Sequence, residues 1–299
     1  MSKVLITGVG GFTGRYLAAR LADAGYEVHG TMHGDAEPGV PGVAKLHPLD
    51  VGDAQAVNAL IAELCPAKVI HLAAIAFVAH SNVAEMYRAN VVGTRNLLDA
   101  LASASTPPDA VLFASSANIY GNARAGTLDE TIPPAPANDY GVTKAAAEMI
   151  AAIYSKRLPL IVVRPFNYTG RGQSEHFLIP KIVSHARRRA PQIELGNLDV
   201  ARDFSDVRGV VDAYARLLET PQAIGGTFNI CSGRAIALSE VIELISRISG
   251  HEFAVRVNPS FVRADEVKTL CGSAAKVEGV IGPLAMPPFE ETLRWMIEA

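Results

Sequence analysis

Gly8, Gly11 and Gly14 in Thr7-Gly8-Val9-Gly10-Gly11-Phe12-Thr13-Gly14, and Tyr140 with Lys144 in Tyr140-Gly141-Val142-Thr143-Lys144, are the patterns in this chain best suited to chemistry. Glycines at a strand-to-helix turn let backbone N–H groups approach a pyrophosphate closely and let the helix pack on the sheet. The spacing here is Gly-x-x-Gly-x-x-Gly rather than Gly-x-Gly-x-x-Gly, and a ligand-free glycine-rich connection is its alternative. Four residues apart on a helix, Tyr140 and Lys144 share a face. A free tyrosine titrates near about 10, too high for acid or base work at neutral pH without help. A neighbouring ammonium and a cationic nicotinamide ring would both favour the phenolate, so a lowered value is expected for Tyr140. Alone, Tyr-x-x-x-Lys also describes a helix-start tyrosine beside a solvated lysine. Joined to the glycine turn, it predicts a nucleotide cofactor and a proton donor.

The elements that must position these groups follow from hydrophobic periodicity. Val4-Leu5-Ile6 reads as a strand entering the glycine turn, and Tyr16 to Ala22 as the helix leaving it. Val69 to Ala74 and Ala110 to Ser116 are further strands ending in small residues, which leave room for a dinucleotide across the carboxyl edge of a parallel sheet. A helix is expected from Tyr140 to about Lys156. Strands alternate with helical patterns to about residue 163, which predicts an α/β fold with a Rossmann-type, doubly wound parallel sheet. After Arg164-Pro165 the pattern is broken by Asn167 to Gln173 and Glu194 to Asp199, while Gly225 to Ile230 reads as one more strand. The division expected is 1–163 for the dinucleotide and 164–299 mainly for substrate, with segments returning to the first sheet.

The 299 residues carry a formal net charge of −3, with no broad basic surface for nucleic acid. Arg187-Arg188-Arg189 is the one basic cluster and reads as a solvated helix end. Cys65, Cys231 and Cys271 have neither metal-ligand spacing nor a disulfide framework, so no metal is expected. No apolar run reaches membrane-spanning length and no signal core opens the chain, which predicts a cytoplasmic protein without membrane contact.

Along essentially its whole length the chain resembles the extended short-chain dehydrogenase/reductase family, the nucleotide-sugar epimerases, dehydratases and reductases. Besides the two opening motifs, the resemblance rests on His71-Leu72-Ala73-Ala74, Asn90-Val91-Val92-Gly93-Thr94, Ser115-Ser116-Ala117-Asn118-Ile119-Tyr120-Gly121, Arg164-Pro165-Phe166-Asn167 and Arg202-Asp203-Phe204-Ser205-Asp206-Val207. It implies Ser116, Tyr140 and Lys144 as the catalytic set. It also implies a cofactor lying against Gly8, Gly11, Phe12, Thr13, Gly14, Asp50, Val51, Leu72, Ala73 and Ala74 as well as Tyr140 and Lys144. For Ser116 a strand-end cap is the alternative, and for Asp50 a turn-forming role. In the family's 4,6-dehydratases an acidic residue two positions after the Ser or Thr removes the C5 proton. Here that position is Asn118, and an amide cannot be that base.

Arg164 to Gln173, Asp199 to Phe204 and Arg263-Ala264-Asp265-Glu266-Val267 are similar to the GDP-mannose branch of the family, which holds both 4,6-dehydratases and 4-keto-6-deoxy-sugar reductases. That resemblance implies substrate contacts at Asn118 and Asn167, diphosphate binding by Arg202 and Arg263, and a ribose contact at Glu266. Two arginines converging on a diphosphate suit bidentate binding, and surface salt bridging is their alternative. Arg171, Gly209 and Ala264 depart from the branch's usual residues and leave the sugar open. The strand Glu27 to His33 ends without the carboxylate that would select NAD, and Arg15 and His33 are candidate phosphate partners, so NADP(H) is favoured with NAD(H) still open. The expectation is an oxidoreductase reducing the C4 keto group of a GDP-linked 4-keto-6-deoxy sugar. A nucleotide-sugar 4-epimerase is the rival, and a non-catalytic dinucleotide sensor a third reading. The resemblance further implies a homodimer, and Ala145 to Ile153 offers an apolar helix surface for it.

Overall fold

The computed structural model describes residues 1–34, 39–76, 82–121, 126–262 and 268–298. Its strands are β1 (Lys3–Thr7), β2 (Glu27–Met32), β3 (Lys45–Pro48), β4 (Lys68–His71), β5 (Ala110–Ala114), β6 (Thr127–Leu128), β7 (Leu160–Pro165), β8 (Asn167–Thr169), β9 (Gln192–Leu195), β10 (Ala201–Asp206), β11 (Thr227–Ile230), β12 (Ala235–Ala237), β13 (Ala254–Val257) and β14 (Thr269–Gly272). The helices are α1 (Phe12–Asp23), α2 (Ala54–Leu64), α3 (Val83–Tyr87), α4 (Gly93–Ser103), α5 (Asp139–Tyr154), α6 (Leu178–Arg187), α7 (Val207–Leu218), α8 (Leu238–Ser249), α9 (Ala275–Ile281) and α10 (Phe289–Ile297). None of the described helices is long and apolar enough to cross a membrane.

Seven parallel strands form the main sheet in the order β11-β7-β5-β4-β1-β2-β3. From β1 the chain steps outward through β2 and β3, then returns to place β4, β5, β7 and β11 on the other side. The strand order therefore reverses between β1 and β4, where a doubly wound sheet opens a crevice at its carboxyl edge. Val4, Ile6, Leu112, Ile161 and Val163 face α1 and α7 on one side, while Leu5, Val69, Val111 and Leu160 face α2, α4 and α5 on the other. Burial on both faces explains why these strands are almost continuously apolar.

A second sheet carries β12-β10-β14-β6, with β8 pairing β10, and β9 and β13 form a separate parallel pair. The stretch Asn167 to Gln173, expected only as an interruption, opens with β8. Three residues are enough there because the ladder partner, Phe204 to Asp206, comes from a distant part of the chain.

Candidate active site

The glycine turn is fixed by close contacts that leave no space for side chains. Gly8 has φ +72°, and a Cβ there would lie 2.8 Å from the Ala73 Cα. One on Gly14 would meet the Val9 Cα and carbonyl oxygen at 2.6 Å, and one on Gly11 would meet the Gly8 carbonyl at 3.2 Å. The first turn of α1 thus lies directly over β1 and against Ala73, at the point where the strand order reverses. Gly11 caps α1 without a side-chain hydrogen bond and no acidic residue occupies its first turn, so its amides and the positive end of the helix dipole stay open to an anion. This cradle fits the pyrophosphate of a dinucleotide.

Facing it across the same edge, Ser116 follows the end of β5 and Tyr140 lies in the first turn of α5. Asn138 caps α5 through Gly141 N–H at 2.8 Å, and a Cβ on Gly141 would meet the Asn118 carbonyl at 2.7 Å. That close approach brings Tyr140 onto Ser116, with which its hydroxyl is hydrogen-bonded. Ser116 Oγ accepts from both the Asn118 backbone N–H and its side-chain Nδ2, each at 3.1 Å. With both lone pairs engaged, the remaining capacity of the Ser116 hydroxyl is its proton, so it acts as a donor. Asn118, expected against the substrate, thus has its amide turned onto the serine.

Lys144 lies one turn along α5. Its Nζ donates to the Ala114 carbonyl at 2.8 Å and sits 6.0 Å from the Tyr140 ring centre. Burial pushes the ammonium down to about 8, against the pull of Glu148. The lowered value expected for Tyr140 draws on a nicotinamide ring as well as on Lys144, and the protein's own groups act in the other direction. Burial pushes its hydroxyl well above the ordinary tyrosine range, outweighing the hydrogen bond from Ser116, while the lysine is directed at a carbonyl. The protein's own groups therefore hold Tyr140 as a neutral phenol, a proton donor.

Two residues to which spacing assigned no role hold this arrangement. His71 ends β4 with Nδ1 2.7 Å from Thr7 Oγ1 and Nε2 3.0 Å from Thr94 Oγ1. The Thr94 hydroxyl donates to the Asn90 carbonyl at 2.6 Å, so it must accept from Nε2–H, leaving Nδ1 to accept from Thr7. Burial pushes the imidazole down to about 3, with the Lys144 charge adding to that, so it is neutral. Asn90 lies in a π-helical turn, Arg88–Val92, where its Nδ2 reaches Thr143 Oγ1 at 3.0 Å; that hydroxyl in turn donates to the Tyr140 carbonyl at 2.7 Å. The link from β4 to the backbone of Tyr140 is continuous. Its sequence signals are the segments His71-Leu72-Ala73-Ala74 and Asn90-Val91-Val92-Gly93-Thr94.

The remaining expected residues are more dispersed. Asp50 accepts from Gly52 N–H at 2.8 Å and pairs with Arg88 at 2.5 Å, in keeping with the turn-forming alternative. Arg15 holds the glycine turn through the Gly10 carbonyl at 2.9 Å, and His33 is exposed at the end of β2. Asn167 opens β8, and its Nδ2 is buried with no partner among the described residues. Arg202 on β10 donates to the carbonyls of Ala201 and Lys268, at 2.9 and 3.2 Å. Arg263 and Glu266 lie outside the described residues.

The sequence profile of the family described as GDP-mannose 4,6 dehydratase matches residues 5–296. The chain belongs to that family. Within it, the chain is 33% identical to the GDP-6-deoxy-D-talose 4-dehydrogenase of Aggregatibacter actinomycetemcomitans and 34% identical to the GDP-6-deoxy-D-mannose reductase of Pseudomonas aeruginosa, each match covering 94% of this chain and 91% of the relative. Among solved structures, a Burkholderia cenocepacia protein described as a candidate epimerase is 51% identical, with a TM-score of 0.93 over 99% of this chain and 97% of its own. The RMD protein of Pseudomonas aeruginosa in complex with NADPH is 31% identical, with a TM-score of 0.84 over 100% of this chain and 97% of its own. The fold is therefore that of the extended short-chain dehydrogenase/reductases, and these relatives include both reductases and epimerases.

Proposed function

We propose that this chain uses NAD(P)H to reduce the C4 keto group of a GDP-linked 4-keto-6-deoxyhexose of the D-mannose series, giving GDP-D-rhamnose or its C4 epimer GDP-6-deoxy-D-talose. The observation that carries this reading is Asn118. Where elimination of water needs a carboxylate, an amide is hydrogen-bonded to Ser116 Oγ at 3.1 Å, so the site has an acid and a carbonyl anchor but no C5 base at that position.

A bound reduced nicotinamide would supply the hydride. The Ser116 hydroxyl donates a hydrogen bond to the ketone oxygen and keeps its proton, which favours negative charge developing there. Tyr140, held as a phenol, gives its proton to the new alkoxide and becomes a phenolate, which the nearby Lys144 ammonium stabilises. Lys144 also orients the nicotinamide ribose. The buried Nδ2 of Asn167, without a partner among the described residues, is a donor suited to a phosphate-side oxygen of the substrate, and Arg202 with Arg263 takes its diphosphate, with Glu266 on the ribose.

NADP(H) is the favoured cofactor because the segment Glu27 to His33 ends without a carboxylate to select NAD, and Arg15 and His33 are candidate partners for a 2′-phosphate. A homodimer through α4 and α5 is part of the same reading. Met149 and Ile153 on α5 are 66% and 75% exposed, so they face away from the sheet and are available to a second copy.

The test is NADPH and NADH oxidation, followed optically, with GDP-4-keto-6-deoxy-D-mannose generated in situ and with UDP- and dTDP-linked keto sugars as controls. Selective turnover of the GDP sugar supports the reductase, and product NMR then assigns C4. No oxidation with any keto sugar, together with NAD surviving purification, moves the assignment to a 4-epimerase.

A further inference from the structure

Tyr168 has no part in the chemistry above, yet it lies between the two halves of the site. Its hydroxyl is 2.7 Å from Thr13 Oγ1 in the first turn of α1, and its ring stacks on Phe12 with centres 6.1 Å apart and planes 16° from parallel. It follows Asn167 on β8, so the strand carrying a candidate substrate contact rests directly on the glycine turn. Tyr168 also packs against the core cluster that holds Tyr214 of α7, and the charge of a phenolate at Tyr168 would be felt at Tyr140. Tyr214 is 1% exposed, and its hydroxyl has no partner among the described residues. Tyr168 therefore joins the first turn of α1, in the cradle that fits a pyrophosphate, to the surroundings of the proton donor.

A dinucleotide lying on that cradle with its nicotinamide ribose at Tyr140 and Lys144 has to cross this space. Burial keeps Tyr168 protonated. The Thr13 and Tyr168 hydroxyls together hold two protons, and the bond between them uses one, which leaves one O–H to donate outward. We propose that Tyr168, presented by Thr13, binds an acceptor oxygen of the nicotinamide mononucleotide half of the cofactor. This rests on the dinucleotide-dependent reading given above. It makes β8 a shared wall, one residue facing cofactor and the preceding one facing substrate.

Binding can be measured without turnover, by the fluorescence of NADPH added to the purified protein, with 2′,5′-ADP as a competing ligand that lacks the nicotinamide half. Tyr168→Phe keeps the ring stacking and removes only the hydroxyl. Its Kd for NADPH should rise about tenfold while that for 2′,5′-ADP stays unchanged. Thr13→Val should weaken NADPH alike, and the double variant should be no weaker than either single one. An unchanged NADPH Kd in Tyr168→Phe overturns the proposal, as does equal weakening of both ligands, which would mean that the phenol only props the turn. A wild-type protein that binds no dinucleotide overturns this proposal and the reductase reading together, whereas wild-type binding with unaltered Tyr168→Phe affinity overturns this one alone.

Discussion

The two halves of the molecule stabilise their buried polar groups in opposite ways. Beneath Tyr140, neutral groups are linked in series from Thr7 through His71, Thr94, Asn90 and Thr143, each acting as donor and acceptor in turn. In the second half buried carboxylates are the hubs, Asp206 with Arg208 and Thr292 and, with uncharged donors, Asp203. Asp203 is fully buried and accepts from Ser232 N–H at 2.8 Å, Ser232 Oγ at 2.7 Å, Gly233 N–H at 2.9 Å and Gly272 N–H at 3.3 Å. Burial raises its pKa although all of these donors pull it down. The series fixes one helix turn by the placement of protons, so it depends on a single tautomer. The Asp203 hub ties β10 to β14 and to the turn after β11 through charge, and tolerates the loss of one donor better than the loss of the acceptor.

If the series ends on a chemical group, Tyr140→Phe should lower turnover by about 10²–10⁴-fold with dinucleotide affinity and melting temperature retained. Loss of affinity instead would place Tyr140 in binding. If the hub is structural, Asp203→Ala should cost about 3 kcal/mol in denaturant unfolding by leaving several buried donors unpaired. An unfolding midpoint equal to wild type would remove Asp203 from that role. Breaking the series in its middle, Asn90→Ala should reduce kcat by roughly tenfold through a loosened Tyr140 backbone, an effect of about 1.4 kcal/mol, with NADPH Kd unchanged. Turnover like wild type would show that α5 needs no such support.

The smallest effect is on pH dependence. An unfolded histidine takes up its proton near 6.5, whereas His71 in the fold does so only near 3. Between those values the unfolded state binds the extra proton, so stability falls as pH drops through the window. His71→Gln should make the slope of unfolding free energy against pH shallower there by one proton. An unaltered slope would assign the acid sensitivity to the carboxylates.

What was legible in the sequence is what depends on neighbours in the chain. The glycine turn, the four-residue spacing of Tyr140 and Lys144 and the amide at Asn118 are local patterns, and strand and helix periods carry them to one sheet edge. The partners of His71 lie 64 and 23 residues away, and Tyr168 meets Thr13 across 155 residues. No local period encodes such pairings. The surroundings of Tyr140 show a related limit, since spacing brought Lys144 near but could not show its ammonium bound to the Ala114 carbonyl or the burial of the phenol. Arg202 illustrates the same limit: its motif is visible, but its hydrogen bond to Lys268 depends on the pairing of β10 with β14.

The position of β11 has a consequence for how the chain is made. β7 ends at Pro165, yet its outer edge is unpaired until Thr227 to Ile230 arrive, and the apolar cluster holding Leu17 and Leu21 takes much of its cover from α7. A ribosome that has finished the first 163 residues has made the glycine turn and the ends of β1, β4 and β5, but not the segments that complete the sheet and cover its face. The nucleotide half must therefore wait for some sixty-odd further residues before it completes, so a cut at its apparent boundary would release an aggregating fragment rather than a domain.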